Sequence, residues 1–232
     1  MTGPTSGNPS ASSVPQPSGS PSSSVSDRQQ AVNDMKRGLI LEAARRVFEA
    51  EGLEGASLRA IAAEAGYTPA ALYFHFDSKE ALYAEVLRAS LDRLNTAVTA
   101  ATARARTAEE RLKLAAMGFF RFFQENPRDL DLGFYLFRGG MKPQGLGRER
   151  DAMLNAALLA ALKPIAEAAR ELDASAREAD ILVADTFAHA AGLLLLAQTG
   201  RIRLFDAAAA DLMARYLDRA VAGLPGARAV SA

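Results

Sequence analysis

The sequence predicts an all-α protein in which a small three-helix head at the N-terminus precedes a larger helical body. Segments with apolar residues at the 3.6-residue spacing of a helix follow one another from about residue 34 onward. Hydroxyl and acidic residues that favour helix starts precede many of these segments, and glycine or proline follows several of them. No stretch of useful length alternates apolar and polar residues as a strand would, so about nine helices and no sheet are expected.

The first 32 residues are expected to be a disordered tail. Residues 1–27 contain ten serines and five of the ten prolines, and they contain no Phe, Tyr, Leu or Ile. Such a composition cannot bury enough apolar surface to offset the entropy lost on ordering. An arm that reaches into a DNA minor groove is the alternative. Such arms normally carry basic residues, and only Arg28 at the end of this segment would serve.

The head is predicted to contain three helices. The first covers about residues 35–51 and ends at Gly52, while the second and third cover about 58–65 and 69–76. Thr68 can cap the third helix, whose first residue is a proline with no N–H to satisfy. The core face of the first helix is predicted to comprise Ile40, Ala43, Ala44, Val47 and Phe48.

Six further helices are predicted after the head. Asp77 and Glu80 have the spacing of a capping box at the start of the fourth helix, and a Thr–Glu pair repeats that spacing before the fifth. Pro164 is expected to kink or restart the seventh helix. The predicted ranges are 78–103, 107–126, 128–138, 148–172, 175–199 and 206–223.

Three small or apolar residues in the head have the spacing of a helix-turn-helix. Ala62 has no side chain beyond Cβ, which allows a second helix to cross closely over it. Gly66 follows four residues later, where the chain must reverse and a positive φ is needed. Leu72, six residues further on, would fill the core from the second helix. This spacing is typical of a motif whose second helix enters the major groove of DNA.

The residues around this motif resemble a known family. Residues 37–82, with the segments ILEAARRVFEAEG and AGYTPAALYFHFDSKEAL, are similar to the N-terminal domain of TetR-type transcriptional regulators. Two positions depart from the family pattern, because Ala56 stands where a capping Thr is common and Ala70 where Gly is common. Ser57 can supply the missing cap oxygen, and Ala is a better helix former than Gly, so neither departure conflicts with the resemblance.

The resemblance implies a ligand-responsive regulator, with repression as the favoured mode. It would bind a near-palindromic double-stranded operator as a homodimer and leave it when a small apolar or aromatic effector binds the body. The fourth helix is the natural lever, since it starts beside the DNA and ends in the body. We expect a tail over 1–32, a DNA-binding domain over 33–80, a ligand-binding and dimerisation domain over 81–225, and a flexible C-terminus over 226–232.

Ten residues of the head are predicted to contact the operator. Hydroxyls at helix starts can donate to phosphates, Arg59 can reach a phosphate or a guanine edge, and Lys79 can clamp a phosphate. Because the start of the recognition helix lacks hydrogen-bonding side chains, specificity is expected from thymine methyls, from Tyr73 or Arg59, and from DNA shape. The predicted contacts are Ser57, Arg59, Tyr67, Thr68, Pro69, Ala70, Ala71, Tyr73, His75 and Lys79.

A structural interpretation of the same residues stays open, with Tyr73 in the core, Lys79 as a solvated charge and His75 on the surface. Charge does not decide between the two readings. The chain has 27 basic and 27 acidic residues, and residues 31–88 hold seven basic against nine acidic ones. DNA binding would therefore depend on a few placed cations, which favours a dimer. The residues expected to pack inside the head are Leu58, Ile61, Leu72, Phe74 and Phe76.

Aromatic residues concentrate in the fifth and sixth predicted helices, where they could line a cavity for an apolar ligand or form ordinary core. Asp185 and His189 are four residues apart on one helical face. A metal site needs at least a third ligand and none is evident, so a buried hydrogen-bonded pair or a polar ligand anchor is favoured. The predicted ligand-binding residues are Phe119, Phe123, Tyr135, Phe137, Arg138, Asp185 and His189.

The last two predicted helices are rich in small and aliphatic residues, which permit close helix crossing. Two copies would form a four-helix interface of the kind that the resemblance implies, although the same faces could be intramolecular core. The predicted interface residues are Ala184, Ala188, Ala191, Gly192, Leu195, Leu212 and Met213.

Other functional classes fit the sequence less well. An enzyme is not expected, because the chain has no cysteine, two separated histidines and no phosphate-binding glycine motif, and no cofactor or metal is predicted. A helical ligand-binding or scaffold protein without sequence-specific DNA binding is the alternative, but it leaves the helix-turn-helix spacing as coincidence. The longest apolar run, over 190–197, falls far short of the roughly 20 residues that span a bilayer, so a cytoplasmic protein with no membrane partner is expected.

Overall fold

The computed structural model describes residues 1–3, 22–133 and 145–230, and the chain forms two compact units, Met1–Gly38 and Leu39–Ala232. Helix α1, Ser22–Gly55, begins in the first unit, earlier than the predicted start near residue 35. Residues 22–32 were expected to belong to the disordered tail and are helical instead, so that expectation is corrected. Side-chain hydrogen bonds one turn apart, from Gln29 to Asn33 and from Gln30 to Asp34, support the extra turns. The earlier part of the predicted tail lies outside the described residues.

The glycine predicted to end the first helix does interrupt it. Gly52 has φ 70° and ψ 178°, a conformation outside the helical region that glycine adopts at little cost. A short helical stretch continues from there to Gly55. The predicted core face of α1 is confirmed, since Ile40, Ala43, Ala44 and Phe48 are fully buried and Val47 is 8% exposed.

Helices α2, Leu58–Ala65, and α3, Pro69–His75, complete the head. Their buried side chains, Ile61, Ala62 and Leu72, pack with the core face of α1 in one apolar cluster. Helix α4, Lys79–Thr102, adds Leu82, Tyr83 and Val86 to that cluster. The ring of Tyr83 meets that of Phe48 edge-on at 4.7 Å between centroids. The first turns of α4 are therefore part of the head core.

The body is built from α4 and the helices that follow it. Aromatic and aliphatic side chains of α5 occupy its centre, with Phe119, Phe120 and Phe123 all buried. The remaining elements are α5, Ala108–Glu125; α6, Pro127–Gly133; α7, Arg148–Glu171; α8, Ala176–Gln198; a 3₁₀ helix, Arg201–Phe205; α9, Ala209–Ala222; and α10, Pro225–Val230.

Three local predictions for the body need correction. Ser78, rather than Asp77, caps α4, because Ser78 takes the extended conformation and its hydroxyl accepts a hydrogen bond from the Ala81 N–H at 3.1 Å. Pro164 lies inside α7 and does not restart it. The C-terminus, expected to be flexible over 226–232, forms α10 as far as residue 230, and the Gly226 N–H donates to the Leu172 carbonyl at 2.9 Å.

Helices α7 and α8 are long and apolar enough to cross a membrane by length and composition. Both also contribute side chains to the core that they share with α4 and α5, such as Ile165 of α7 and Leu194 of α8. Packing inside the body thus accounts for part of their apolar character, since 39% of the apolar window of α7 and 28% of that of α8 are buried. The expectation of no membrane partner stays a prediction.

Candidate nucleic-acid interface and ligand cavity

The turn between α2 and α3 has the geometry that the sequence predicts. Gly66 adopts the left-handed conformation, with φ 72° and ψ 26°, and ends α2. The Tyr67 N–H donates to the Ala62 carbonyl at 2.9 Å and the Gly66 N–H to the Ala63 carbonyl at 3.2 Å, which satisfies carbonyls at the helix end. Ala62 and Leu72 are fully buried where the two helices cross. The local rules of the helix-turn-helix are therefore met.

Helix α3 presents one of its faces to solvent. Thr68 caps it by accepting a hydrogen bond from the Ala71 N–H at 3.3 Å. Pro69, Ala70, Tyr73 and Phe74 are exposed, whereas Leu72 is fully buried on the opposite side. The exposed positions recur at i, i+1, i+4 and i+5, which places them on one face of a helix. This face is available to a large ligand such as a DNA groove.

Phe74 is a residue that the sequence interpretation placed wrongly. It was expected to pack inside the head, yet it is 85% exposed, while Phe76 is buried as expected. Its ring meets the ring of His75 edge-on, with the centroids 5.2 Å apart. An exposed phenylalanine on the outward face of α3 adds a candidate contact to the predicted set.

The start of α2 also faces solvent. Ser57 accepts a hydrogen bond from the Ala60 N–H at 3.2 Å, and its own O–H proton remains available to donate. Arg59, in the first turn of the helix, is exposed and has no ion pair within the described residues. By contrast, the Arg46 guanidinium is bound to Glu64 at 2.7 Å. Arg59 is thus a cation of the head that is not neutralised by a neighbour.

Lys79 has a structural role in addition to its predicted one. Its ammonium group donates to the Leu53 carbonyl at 3.0 Å and to the Glu54 carbonyl at 3.4 Å. It therefore binds the end of α1, just after the break at Gly52, to the start of α4. A phosphate contact by Lys79 stays a prediction. Tyr67 and His75, two further predicted contacts, are half-buried.

The body encloses a cavity of about 490 Å³. Its wall is mostly apolar, and it includes Phe119 and Phe123 from the predicted ligand set. Phe187, which was not predicted, lies 5.9 Å from Phe119 between ring centroids. Helices α4 to α8 all contribute to the wall, which consists of Leu87, Ser90, Leu91, Phe119, Phe123, Asp129, Leu130, Gly133, Leu154, Asn155, Leu158, Phe187, Ala191 and Leu194.

Asp129 is the charged side chain among these cavity residues. It is 4% exposed, and its Oδ1 accepts from the Arg93 guanidinium of α4 at 2.6 Å. Burial of the carboxylate is thereby compensated by an opposite charge. Sequence reasoning missed Asp129 because its neighbours on α6 give no spacing signal for a buried acid.

The other predicted ligand residues do not join the described cavity wall. Tyr135, Phe137 and Arg138 lie outside the described residues. Asp185 is exposed, and His189 stacks on Tyr216 at 4.2 Å between ring centroids instead of pairing with Asp185. Burial lowers the pKa of the His189 imidazole, a hydrogen bond to the backbone of Leu212 opposes that effect, and Arg219 adds to it. Within the described residues, no group of three potential metal ligands occurs.

The predicted dimer residues differ in exposure: four are exposed, one is buried and two are half-buried. Ala184, Ala188, Gly192 and Leu195 are exposed on α8, and Leu195 is 56% exposed. Met213 of α9 is fully buried in the body core, so its assignment to an interface is corrected. Two of the predicted residues are half-buried, namely Ala191, which lines the cavity, and Leu212.

Helix α6 joins the cavity wall to the head. Leu130 packs in the body core and Leu132 in the head core, although only one residue separates them. The Leu132 carbonyl accepts from the Tyr83 hydroxyl at 2.8 Å. The Arg128 guanidinium binds the Glu49 carboxylate of α1 at 2.9 Å, and that carboxylate is only 5% exposed. A displacement of α6 would therefore reach the head through both packing and charge.

These features define a class of protein, a helix-turn-helix head joined to a helical body with an apolar cavity. Residues 40–86 match the family model described as bacterial regulatory proteins, tetR family. This match confirms the resemblance that the sequence shows between the N-terminal part of the chain and the TetR family.

Two curated relatives are similar to part of this chain. The transcriptional activator FasR of Mycolicibacterium smegmatis is 36% identical over 101 residues, which make up 44% of this chain and 46% of that protein. The transcriptional repressor KstR2 of Mycobacterium tuberculosis is 41% identical over 66 residues, or 28% of this chain and 33% of that protein. The matches thus span less than half the length of either relative.

The fold is shared with solved structures over most of the chain. The transcriptional regulator FadR from Bacillus subtilis, solved in complex with stearoyl-CoA, aligns with a TM-score of 0.62 and 16% identity. The alignment covers 80% of this chain and 98% of that one. At this identity the similarity shows the fold alone, and it confirms the predicted all-α architecture of head and body.

Proposed function

We propose that the protein is a ligand-responsive transcriptional regulator that binds a near-palindromic operator as a homodimer. The observation that carries this proposal is the outward face of α3, held away from the core by the tight turn at Gly66. The second helix of a helix-turn-helix, when it is presented in this way, fits the major groove of DNA. The capping hydroxyls of Ser57 and Thr68 and the cation of Arg59 flank the same surface and would position it on phosphates.

A homodimer is supported by an exposed stripe on α8. Ile181, Ala184, Ala188, Gly192 and Leu195 recur at three- and four-residue intervals, and all of them are exposed. Small side chains at such positions let a second helix approach closely. In such a dimer, two heads related by a two-fold axis would bind half-sites about one helical turn (~34 Å) apart or somewhat more.

The effector is proposed to be a small apolar or aromatic molecule that occupies the cavity. The volume of about 490 Å³ lies within the usual range of ligand pockets, roughly 300–1,000 Å³. Among the described residues of the lining, hydroxyl, carboxylate and amide groups are offered only at Ser90, Asp129 and Asn155. FadR of Bacillus subtilis was solved with stearoyl-CoA, so a long acyl chain is a reasonable first class of molecule to test.

Release from DNA would follow if the effector binds one arrangement of the head better than another. Leu87 and Leu91 of α4 and Leu130 of α6 line the cavity, and both helices also contact the head core. The fourth helix was predicted as the lever, and the structure supports adding α6 to it. Repression is the proposed mode, because a compact dimer on a promoter blocks polymerase without further machinery. The relatives include both an activator and a repressor.

The DNA-binding proposal is tested by gel shift against the DNA that flanks its own gene, over a series of salt concentrations. A selective shift that weakens with salt is expected, because each neutralised phosphate adds about 0.9 to the salt slope. Ala70→Asp places a negative charge on the outward face of α3 and should abolish the shift. Ala160→Asp, on the exposed side of α7, is the matched control and should leave it intact. A lack of selective binding at low salt would instead favour a helical ligand-binding or scaffold protein.

The dimer proposal is tested by sedimentation of a variant with a bulky charge on the α8 stripe. Ala188→Arg should shift the protein from dimer to monomer, whereas Ala160→Arg should not. If the wild-type protein sediments as a monomer at all concentrations used, or if Ala188→Arg leaves the dimer unchanged, the proposed interface is wrong.

A further inference from the structure

Phe74 is an exposed side chain that the proposed contacts leave without a role. At 85% exposure it is more accessible than its neighbour Tyr73, which is 59% exposed. Leu72 is the apolar side chain of α3 that is buried in the head core. Phe76, which directly follows α3, is also buried. The head core therefore has its own apolar residues and does not need Phe74.

The position of Phe74 along α3 places it at the reading surface. It follows Ala70 by four residues, or about one helical turn, so the two side chains lie on the same outward face. Its ring contacts the ring of His75 edge-on, at 5.2 Å and 89° between the rings. The ring of Phe74 thus extends the apolar surface begun by Pro69 and Ala70.

The chemistry of this surface limits what it can recognise. The side chains of Pro69, Ala70 and Phe74 have no hydrogen-bond donor or acceptor, so they cannot pair with the edges of guanine, adenine or cytosine. The apolar group that a base pair exposes in the major groove is the C5-methyl group of thymine. An apolar side chain on a recognition helix selects bases by contact with that methyl group.

From these observations, and on the basis of the proposed function, we infer that Phe74 is a specificity-determining residue that reads a thymine methyl group in each half-site of the operator. Ala70 lies one turn earlier and provides the adjoining apolar surface. Base preference at that position follows from the fit of the methyl group against the ring, and no hydrogen bond to the base is required.

The test is a cycle that removes the side chain and the methyl group separately and together. An operator is first selected by the wild-type full-length protein from a random duplex library. Each thymine of the half-site is then replaced in turn by deoxyuridine, symmetrically in both half-sites, which removes only the methyl group. Dissociation constants are measured for wild type, Phe74→Ala and Phe74→Leu, with Ala160→Asp on the exposed side of α7 as a control outside the head.

At one thymine position, the deoxyuridine change should weaken wild-type binding about four-fold per half-site, the effect of losing one buried methyl-sized group. Phe74→Ala should bind thymine and deoxyuridine at that position equally well. Phe74→Leu, which keeps an apolar contact, and Ala160→Asp should both retain the preference for thymine. Circular dichroism confirms that each variant keeps its helical fold.

Three results would overturn the inference, and failure of the inference alone is distinguishable from failure of the proposed function. If Phe74→Ala keeps the full preference for thymine at every position, Phe74 does not read the methyl group, while the DNA-binding proposal still stands. The same conclusion holds if Phe74→Ala binds the operator as tightly as wild type, which would point to a protein partner for this ring. If the library yields no selected sequence with the wild-type protein, the proposed function itself fails.

Discussion

Tyr83→Phe removes a single hydroxyl group from the place where α4, α6 and the head core meet. The tyrosine is fully buried, and its hydroxyl donates to the Leu132 carbonyl at 2.8 Å. Leu132 is itself only 1% exposed. The phenylalanine ring keeps the edge-on contact with Phe48, so the variant changes the polar contact and leaves the apolar packing in place.

The expected cost follows from the carbonyl that loses its donor. A buried polar group left without a partner destabilises a protein by about 1–3 kcal/mol. We expect a loss of about 2 kcal/mol in the free energy of unfolding. For a chain of this size, each kcal/mol lowers the melting temperature by about 2–4 °C, so the melting temperature should fall by about 4–8 °C.

Urea unfolding followed by circular dichroism measures this loss, at one fixed protein concentration because dimerisation would add to stability. The midpoint should fall while the slope stays unchanged, as expected for a stability change without altered compactness. Tyr73→Phe makes the same chemical change at a side chain that is 59% exposed, and it should alter stability by less than about 0.5 kcal/mol. If both variants lose equally little, the Leu132 carbonyl is satisfied by water in the variant and the reasoning is wrong.

Gly66→Ala should lower the free energy of unfolding by about 1 kcal/mol, measured by the urea midpoint, because φ is 72° there and a side chain disfavours that conformation. Ala191→Phe should fill the cavity and abolish binding of acyl-CoA probes, measured by calorimetry, while Ala160→Phe on the outer side of α7 should preserve it. For the wild type, each further buried CH₂ of the acyl chain should tighten binding about four-fold until the cavity is full, and a flat series would exclude this mode of binding. Burial lowers the pKa of His189 in the folded protein below its ordinary value of 6.5. As the pH falls below 6.5, this imidazole therefore becomes protonated in the unfolded chain before it does in the folded protein, and the stability contributed by neutral His189 is lost. From about pH 7.5 to about pH 5, wild type should therefore lose more stability than His189→Phe, and equal losses would show that this imidazole is not involved.

The head was predictable from the sequence because its rules are local. Three of its positions have requirements set by neighbours a few residues away. Close helix crossing requires a small residue at Ala62, the turn requires a positive φ at Gly66, and the start of α3 requires an N-cap at Thr68. Phe74 was misplaced because α3 is only two turns long and lies in the apolar run LYFHF. A run dominated by large aromatic side chains does not show which side faces the core. The cap of α4 was assigned to Asp77 in place of Ser78 because both are good capping residues and they are adjacent in the sequence.

The cavity was less predictable because its wall comes from five helices that meet only in the folded chain. Phe119 and Phe123 could be found from their spacing on α5. Phe187 and Asp129 are distant in sequence and carry no shared pattern. Helical periodicity also could not separate Met213, which packs inward, from Leu195, which is exposed, since both lie on apolar faces.

Helix α6 contributes side chains to both the body core and the head core, and this limits how hybrid regulators can be built from this chain. A fusion cut at the predicted boundary between residues 80 and 81 would sever Tyr83 from Phe48 and leave Leu132 behind with the discarded half. Such a hybrid would expose apolar surface at its joint and aggregate. A body that is to be fused to another head would instead have to include the first two turns of α4 together with α6. Otherwise, the side chains that contact the new head would have to be redesigned.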